Sequence, residues 1–215
     1  MDLNSDSYLP EKDAPTGKKI AIIGGGPAGL TAAYRLAISG HEVTVYDMME
    51  KMGGMLRYGI PQYRLPKEVL DKEIAIIEKL GVKMINGVKL GKDFTVASLK
   101  AQNDAVIVAV GAWKSSSMRT PGEELNGIYG GIDFLRAVAL KQEINIGDKV
   151  VICGGGNTAM DACRTAVRLG AKEVYCVYRR TRNEMPAEDI EITEAEEEGV
   201  PVSYTHLRAH ETELH

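Results

Sequence analysis

The stretch Lys19-Ile20-Ala21-Ile22-Ile23-Gly24-Gly25-Gly26-Pro27-Ala28-Gly29 decides the fold of the first half of the chain. Its apolar residues predict a short buried strand that runs directly into a glycine turn. In this spacing Gly24 makes the tight turn, Gly26 lets a pyrophosphate approach the backbone, and Gly29 lets the following helix pack closely on the strand. Pro27 suits the first helical position, and the helix N-terminus attracts an anion.

A second predicted strand, Glu42-Val43-Thr44-Val45-Tyr46, ends at Asp47. Asp47 therefore stands where a carboxylate accepts hydrogen bonds from a ribose, about 20 residues beyond the glycine turn. The alternative is an ordinary strand–turn–helix corner whose glycines serve packing only. Because strand, turn, helix, second strand and acid occur in the right order, the sequence favours a dinucleotide site.

The pattern recurs as Val150-Val151-Ile152-Cys153-Gly154-Gly155-Gly156-Asn157-Thr158-Ala159, with Ala159 at the third small position. The strand predicted after its helix ends in Arg179-Arg180, with Arg182 close behind, and not in a carboxylate. Arginines at this place accommodate a 2′-phosphate. The sequence thus predicts FAD at the first site and NADP(H) at the second, against two alternatives: a degenerate packing copy, or a solvated basic surface.

Two such units in tandem resemble the two-dinucleotide-binding-domain flavoproteins, and most closely the glutamate synthase small-subunit (beta chain) family of FAD- and NADPH-dependent oxidoreductases. The resemblance implies an α/β fold with two Rossmann-like units, both incomplete, in a chain that is a truncated fragment. It covers residues 17–200 and rests on Gly53-Gly54-Met55-Leu56-Arg57-Tyr58-Gly59-Ile60-Pro61, Arg64-Leu65-Pro66-Lys67, Thr120-Pro121-Gly122-Glu123, Gly154–Asp161, Val177-Tyr178-Arg179-Arg180 and Glu184-Met185-Pro186-Ala187.

The resemblance also implies which residues bind the cofactors. The family more often carries Glu where this chain has Asp47, so the ribose contact there depends on a shorter acid. The implied FAD contacts are Gly24, Gly26, Pro27, Ala28, Gly29, Asp47, Lys51, Gly54, Met55, Arg64, Leu90 and Gly111. The implied NADP contacts are Gly155, Gly156, Asn157, Thr158, Arg179, Arg180 and Arg182.

Four segments are predicted along the chain. Residues 1–16 are a lead-in or linker, 17–128 the first segment of an FAD-binding domain, 129–202 part of an NADP-binding domain, and 203–215 a non-native tail. In the tail, His206 and His210 could share one face of a helix and bind a metal. The abrupt change of sequence instead favours a translated adaptor or cloning sequence, so no metal site is predicted.

Composition narrows the function classes. The net charge of −4 gives no basic footprint for nucleic acid. No apolar run approaches the roughly 20 residues of a membrane helix. The N-terminus lacks the pattern of a signal peptide. Cys153, Cys163 and Cys176 have no metal or redox spacing, which suits small buried hydrophobes in a cytoplasmic protein and argues against disulfide reduction.

The expected chemistry belongs to the cofactors. Hydride passes from NADPH to FAD, and the protein supplies position and electrostatics, so no catalytic side chain is nominated. The resemblance implies onward electron transfer to a large catalytic or electron-accepting subunit, with iron–sulfur clusters only in an upstream segment or in that partner. The alternatives are a ferredoxin–NADP transhydrogenase subunit and an inactive nucleotide-binding fragment.

Overall fold

The computed structural model describes residues 9–204 and divides the chain into two compact units. Unit 1 is Met1–Ala112 and unit 2 is Trp113–His215. In the described residues, no helix has both the length and the apolar character needed to cross a membrane.

The boundary between the two units falls between residues 112 and 113. The sequence predicted this boundary between residues 128 and 129. Residues 113–130 belong to unit 2 because they are attached to the helix that follows them. Ser115 Oγ donates a hydrogen bond to Asp133 Oδ2 at 2.7 Å. The Arg136 guanidinium lies 5.9 Å from the centre of the Trp113 ring, a cation–π contact.

Unit 1 contains a four-stranded parallel sheet in the order β3-β2-β1-β4. Because β1 lies between β2 and β4, its Ile22 pairs with both Val45 and Ile107. The strands are β1 (Lys19–Ile23), β2 (Glu42–Tyr46), β3 (Lys83–Ile85) and β4 (Ala105–Val108), and the helices are α1 (Pro27–Ile38), α2 (Met55–Tyr58), α3 (Lys67–Lys79) and α4 (Val96–Lys100).

The core of unit 1 forms where α1 and α3 pack on the sheet. Leu30 and Ala33 of α1 and Leu70, Ile74 and Ile77 of α3 are buried in one cluster with the apolar residues of β1 and β2. The spacing of Leu70, Ile74 and Ile77 by about one helical turn predicts one apolar face, and this face packs α3 against the sheet. This packing fixes the carboxyl ends of β1 and β2, where the candidate site lies.

Two predictions for unit 1 are wrong. The apolar residues near 88–90 predict a short strand, but the structure has no strand there, and Leu90 makes an isolated bridge to Phe94. The apolar run 104–111 predicts a fully buried strand, but it forms only the shorter β4, whose Val108 is 56% exposed. Its apolar sequence suits a central strand, but β4 lies at the edge of the sheet.

The lead-in is attached to unit 1 and is not a free linker over its described residues. Lys12 Nζ donates to the Leu80 carbonyl at 2.8 Å, just beyond the end of α3. The Asp13 N–H donates to the Ile38 carbonyl at 2.7 Å, at the end of α1. Basic side chains at helix C-termini satisfy the last carbonyls, so this segment stabilises two helix ends.

Unit 2 contains a three-stranded parallel sheet in the order β5-β6-β7. A short 3₁₀ turn, Arg182–Glu184, follows the second of these strands. The strands are β5 (Lys149–Cys153), β6 (Glu173–Val177) and β7 (Val202–Ser203), and the helices are α5 (Gly131–Ala139), α6 (Asn157–Arg168) and α7 (Asp189–Glu197).

Burial in unit 2 corrects two expectations. Cys163 and Cys176 are buried as predicted, but Cys153 is exposed because its side chain lies on the outer face of β5. A hydrogen bond to Cys176, together with burial, raises the pKa of Cys163. The sequence of residues 186–198 predicts an acidic amphipathic helix with Ile190 and Ala195 as its apolar residues, yet Ile190 is 61% exposed and Ile192 is buried with Ala195.

The C-terminal strand extends beyond the predicted start of the tail at residue 203. Ser203 pairs with Val177 in β7, and its carbonyl accepts the Tyr178 N–H at 3.0 Å. Tyr204 packs against the core of unit 2. His206 and His210 lie outside the described residues.

A buried ion cluster joins α6 to α7. Arg164 is only 7% exposed, and its Nε lies 2.8 Å from Glu198 Oε1. Arg164 also pairs with Glu194 and, at 3.5 Å, with Glu191. A buried guanidinium needs such partners because an unpaired buried charge is strongly destabilising.

Because of this cluster, the stability of unit 2 depends on pH. Partial burial raises the pKa of Glu198, but hydrogen bonds from Arg168 and Arg164 outweigh it, so the pKa lies below its ordinary value of 4.5. A lowered pKa in the folded state contributes stability above the ordinary value, and that stability is lost as pH falls through the folded-state pKa. Glu198→Gln should therefore destabilise the protein at neutral pH, by an amount that shrinks in acid.

The measurement is urea unfolding of wild type and Glu198→Gln between neutral and acidic pH. The exposed neighbour Glu197 provides a matched control, since Glu197→Gln makes the same chemical change at a carboxylate outside the cluster. A stability difference between wild type and Glu198→Gln that stays constant with pH would contradict the assignment.

Candidate dinucleotide-binding sites

The glycine turn of unit 1 has little room for side chains at its first and third positions. Gly24 has φ +111°, and a Cβ added there would lie 2.2 Å from the Ala109 carbonyl oxygen. A Cβ on Gly29 would lie 1.8 Å from the carbonyl oxygen of Gly24. Both obstacles are backbone atoms, so these glycines are required by the turn and by the packing of α1 on β1.

The second position, Gly26, is open. A Cβ there would meet nothing closer than the Gly54 Cα, at 3.8 Å. Gly26 is also the N-cap of α1, and no side-chain hydrogen bond caps this helix. Bare backbone beside a helix N-terminus without a side-chain cap suits a pyrophosphate, which accepts hydrogen bonds and favours the positive end of the dipole. Pro27 and Ala28 begin the helix at this opening and are exposed.

Asp47 holds the glycine turn through its carboxylate. Oδ2 accepts the Gly25 N–H at 2.6 Å, and Oδ1 accepts the Met49 N–H at 2.8 Å. Asp47 is 7% exposed. Each carboxylate oxygen has two lone pairs, so both retain capacity to accept a further donor such as a ribose hydroxyl. The structure therefore shows a role for Asp47 in the turn itself, and its ribose contact stays a prediction.

A second loop crosses the glycine turn. Gly53 has φ +127°, and its N–H donates to the Gly25 carbonyl at 2.7 Å. A Cβ on Gly54 would lie 2.7 Å from the Gly26 Cα, so only glycine allows the two backbones to approach this closely. Met52 is buried and lies against Gly25, because a Cβ added to Gly25 would lie 2.0 Å from the Met52 Sδ. The loop predicted from resemblance is thus in direct contact with the turn.

Arg57 and Tyr58 fix this loop from behind. Arg57 is 8% exposed, donates from Nε to the Met52 carbonyl at 2.6 Å, and forms an ion pair with Asp71 of α3. The Tyr58 hydroxyl accepts the Lys51 N–H at 3.1 Å. Burial is the main cause that raises the pKa of Tyr58. The loop conformation is therefore set by side chains of α2.

The other predicted FAD residues occupy the following places in unit 1. Leu90 follows the Val88 N–H, which donates to the Asp47 carbonyl at 3.0 Å. Gly111, with φ +69°, follows the Ala109 carbonyl that faces Gly24. Met55 begins α2, and Arg64 lies between α2 and α3. Their contacts with FAD, and that of the exposed Lys51, stay predictions.

The turn of unit 2 repeats the backbone of unit 1 but changes one key position. The Gly154 N–H donates to the Val177 carbonyl at 3.0 Å, as the Gly24 N–H does to Tyr46 at 2.7 Å. Tyr178 therefore occupies the place that Asp47 has in unit 1. Its ring lies on the glycine turn, because a Cβ on Gly155 would be 2.5 Å from a ring carbon. No carboxylate follows this strand directly.

The arginines after Tyr178 differ in their surroundings. Arg179 and Arg180 are both exposed. Arg180 Nη1 lies 3.9 Å from Glu184, whereas Arg182 Nη1 lies 2.7 Å from Glu196 of α7. The Glu196 carboxylate is the main cause that raises the pKa of Arg182. Arg182 is thus engaged within the protein, while Arg179 is exposed two residues after the end of β6, and its contact with a phosphate stays a prediction.

An open cavity of about 850 Å³ lies beside the N-terminus of α6, within unit 2. It is lined by Gly154, Gly156 and Thr158 and by the length of β5. Its volume falls in the range of about 300–1,000 Å³ that ligand sites occupy. Gly156 is the N-cap of α6, and no side-chain hydrogen bond caps this helix, as at α1. Of the predicted residues of the second turn, Gly156 and Thr158 therefore border a space large enough for a ligand.

A family model described as pyridine nucleotide-disulphide oxidoreductase matches residues 18–206, which include both glycine turns. The chain belongs to the pyridine nucleotide-disulphide oxidoreductase family. Its α/β fold with parallel sheets is that of FAD- and NAD(P)-binding oxidoreductases, as predicted. The resemblance to glutamate synthase small chains is likewise confirmed.

Two curated relatives are similar to this chain over part of their own length. It is 47% identical over 188 residues to the NADP(+)-dependent formate dehydrogenase subunit beta of Moorella thermoacetica, covering 86% of the chain and 27% of that protein. It is 39% identical over 199 residues to the glutamate synthase [NADPH] small chain of Azospirillum brasilense, covering 86% and 41%. The chain thus spans less than half the length of either relative.

A solved structure supports the fold. FprA from Mycobacterium tuberculosis in complex with NADPH superposes with a TM-score of 0.70 at 24% identity, covering 84% of this chain and 47% of that one. At this identity the similarity establishes the oxidoreductase fold and not the reaction.

The sequence analysis did not identify several residues that shape the two candidate sites. Met52, Arg57 and Tyr178 contact or fix the glycine turns through their side chains. Arg57 and Tyr178 lie inside the resembling stretches, but an arginine or tyrosine carries no spacing signal of its own. The one available signal for Tyr178 was its place directly after the strand, where unit 1 has Asp47.

Proposed function

We propose that unit 1 binds FAD, that unit 2 binds NADP(H), and that the protein containing them passes electrons from NADPH to a partner subunit. The observation that carries this proposal is the difference between the residues that follow β2 in unit 1 and those that follow β6 in unit 2. In unit 1 a buried carboxylate, Asp47, follows the strand, and in unit 2 Tyr178 and two exposed arginines follow it. An acid favours a free ribose 2′-hydroxyl, and arginines favour a 2′-phosphate.

The residues present fit the two nucleotides. In unit 1 the open backbone at Gly26, the N-terminus of α1 and the spare lone pairs of Asp47 match a pyrophosphate and a ribose. In unit 2 the open N-terminus of α6 and the adjoining cavity match a second pyrophosphate. The full set of FAD contacts proposed is Gly24, Gly26, Pro27, Ala28, Gly29, Asp47, Lys51, Gly54, Met55, Arg64, Leu90 and Gly111, and of NADP contacts Gly155, Gly156, Asn157, Thr158, Arg179, Arg180 and Arg182.

The chain's own residues act by binding and orientation. Bound FAD and NADPH supply hydride chemistry, in which NADPH, FAD and one proton give NADP⁺ and FADH₂. Gly24 and Gly29 keep α1 close to β1, so its N-terminal N–H groups face the pyrophosphate. Arg57 and Tyr58 hold the loop that crosses Gly26. No side chain is assigned a proton transfer.

The electron acceptor is proposed from the relatives. The curated relatives are named as subunit beta and small chain. We therefore place this chain in a cytoplasmic complex, where a larger catalytic or electron-accepting subunit takes the electrons from the flavin. A glutamate synthase-type complex and a transhydrogenase-type complex both match this arrangement, and they differ in the partner.

The test is equilibrium binding of FAD and NADPH to the purified chain, separately and together. Two independent sites predict one FAD and one NADPH per chain, and saturation with either should leave the affinity for the other within a factor of a few. Direct competition between FAD and NADPH for one site would overturn the assignment of the two units.

A second candidate function is nucleotide binding without turnover by this chain alone. An exposed face of the second sheet favours it, because parallel sheets are normally covered on both faces and a site without that cover lacks the surroundings that bring two cofactors together. Val151 pairs with Tyr175 on the face opposite α6, and these side chains are 61% and 39% exposed. Binding of both nucleotides without any flavin reduction would support this function over the first.

A further inference from the structure

Residues 178–188 lie over the glycine turn of unit 2 and are called the strap here. The Tyr178 hydroxyl donates to the Glu184 carbonyl at 2.8 Å, which closes the strap on itself. The Ala187 N–H donates to the Gly155 carbonyl at 3.0 Å, which attaches the strap to the turn. Met185 and Ala187 are buried in the unit 2 core. The strap is therefore an ordered segment whose position is set by the glycine turn.

Asn157 provides a second attachment. Its Oδ1 accepts the Glu188 N–H at 3.0 Å, across 31 residues of chain. Asn157 is the first residue of α6, and Glu188 is the N-cap of α7. One side chain at the phosphate-binding turn thus fixes the point where the strap ends and the next helix begins.

The strap carries all three arginines assigned to the 2′-phosphate. Arg182 Nη1 is paired with Glu196 of α7 at 2.7 Å, so it holds the strap to that helix. Arg179 and Arg180 are exposed at the start of the strap, next to Tyr178 on Gly155. Arg180 Nη1 lies 3.9 Å from Glu184 within the strap, so the distance between Arg180 and a nucleotide on the turn changes with the position of the strap.

We propose that Asn157 is a positioning residue for nucleotide specificity: by holding the Glu188 N–H it places the strap so that Arg179 and Arg180 reach the 2′-phosphate. This inference rests on the proposed NADP site of unit 2 and adds a residue that acts on specificity through the strap. An asparagine that only touched the pyrophosphate would affect NADPH and NADH alike, because that part is common to both. An asparagine that positions the arginines affects NADPH more.

The experiment measures dissociation constants for NADPH and NADH with wild type, Asn157→Ala and Asn157→Asp. Loss of one hydrogen bond corresponds to about a two- to tenfold change. Asn157→Ala should therefore lower the preference for NADPH over NADH about two- to tenfold. Asn157→Asp keeps an Oδ acceptor, so it should retain the wild-type preference for NADPH. Its negative charge should weaken the binding of both nucleotides.

The partner side of the hydrogen bond gives an independent variant. Glu188 has φ −63°, which proline can adopt, so Glu188→Pro removes the N–H at a compatible backbone angle. Glu188→Gln is the matched control, because it removes the charge and keeps the N–H. Glu188→Pro should reproduce the change in preference seen with Asn157→Ala, and combining the two should add nothing further.

Hydrogen exchange of the strap amides reports the attachment without any nucleotide. Exchange in residues 178–188 should accelerate in Asn157→Ala and Glu188→Pro and stay at the wild-type rate in Glu188→Gln. An unchanged preference in Asn157→Ala, with wild type still preferring NADPH, would overturn this inference and leave the proposed NADP site intact. Wild type that binds neither nucleotide would overturn both.

Discussion

Gly29→Ala is expected to lower the unfolding free energy by about 2–3 kcal/mol, the upper range for overpacking, and to abolish FAD binding. The added Cβ would lie 1.8 Å from the Gly24 carbonyl oxygen, so α1 must move away from β1. Moving α1 also displaces the N–H groups that face the pyrophosphate. Urea unfolding and FAD titration of the variant measure the two effects.

Gly26→Ala is the matched control for the same helix. A Cβ at Gly26 has its nearest neighbour at 3.8 Å and enters the space assigned to the pyrophosphate. This variant should keep the unfolding free energy within about 1 kcal/mol, as propensity-level changes do, while FAD binding weakens. If Gly26→Ala bound FAD as wild type does, the pyrophosphate would not lie where we propose.

Replacing Arg179 and Arg180 together by alanine is expected to remove the preference for NADPH over NADH. Each hydrogen bond to a charged phosphate is worth roughly 1.5–3 kcal/mol, so one contact alone accounts for about tenfold to a hundredfold in affinity. The effect should fall on NADPH, because NADH lacks the 2′-phosphate. Titration of both nucleotides against wild type and the double variant measures it.

The control for this pair removes the same charge elsewhere in unit 2. Lys172 is exposed, and Lys141 has φ +55°, so Lys172→Ala with Lys141→Gly removes two positive charges without straining the backbone. That variant should keep the wild-type preference. A double arginine variant that still preferred NADPH would show that the specificity lies elsewhere.

Much of the fold was predictable because local patterns and tertiary structure agree. The alternation of apolar strand, glycine turn and helix predicted β1, α1, β2, β5, α6 and β6 within one or two residues. Predictions failed where burial depends on neighbours that sequence does not show. The apolar run of β4 suggests a central strand, yet β4 is at an edge, and Ile190 faces solvent although Ile192 is buried.

The candidate sites were predictable in their backbone and less so in their side chains. Glycine spacing identified both turns. In the turn of unit 1, only glycine fits at Gly24 and Gly29. The ribose contact predicted for Asp47 stays a prediction, and the hydrogen bond that its carboxylate accepts from the Gly25 N–H is a role that the sequence did not indicate. Pairings such as Arg182 with Glu196 or Asn157 with Glu188 join distant segments, so no local pattern could indicate them.

The most direct test of the central claim is the visible absorption of the purified chain saturated with FAD, recorded without oxygen before and after addition of NADPH. Two nucleotide sites that act together predict a bound flavin spectrum that bleaches with NADPH, and that bleaches more slowly with the same concentration of NADH. A flavin that binds but keeps its colour with saturating NADPH would contradict electron transfer from NADPH to FAD in this chain.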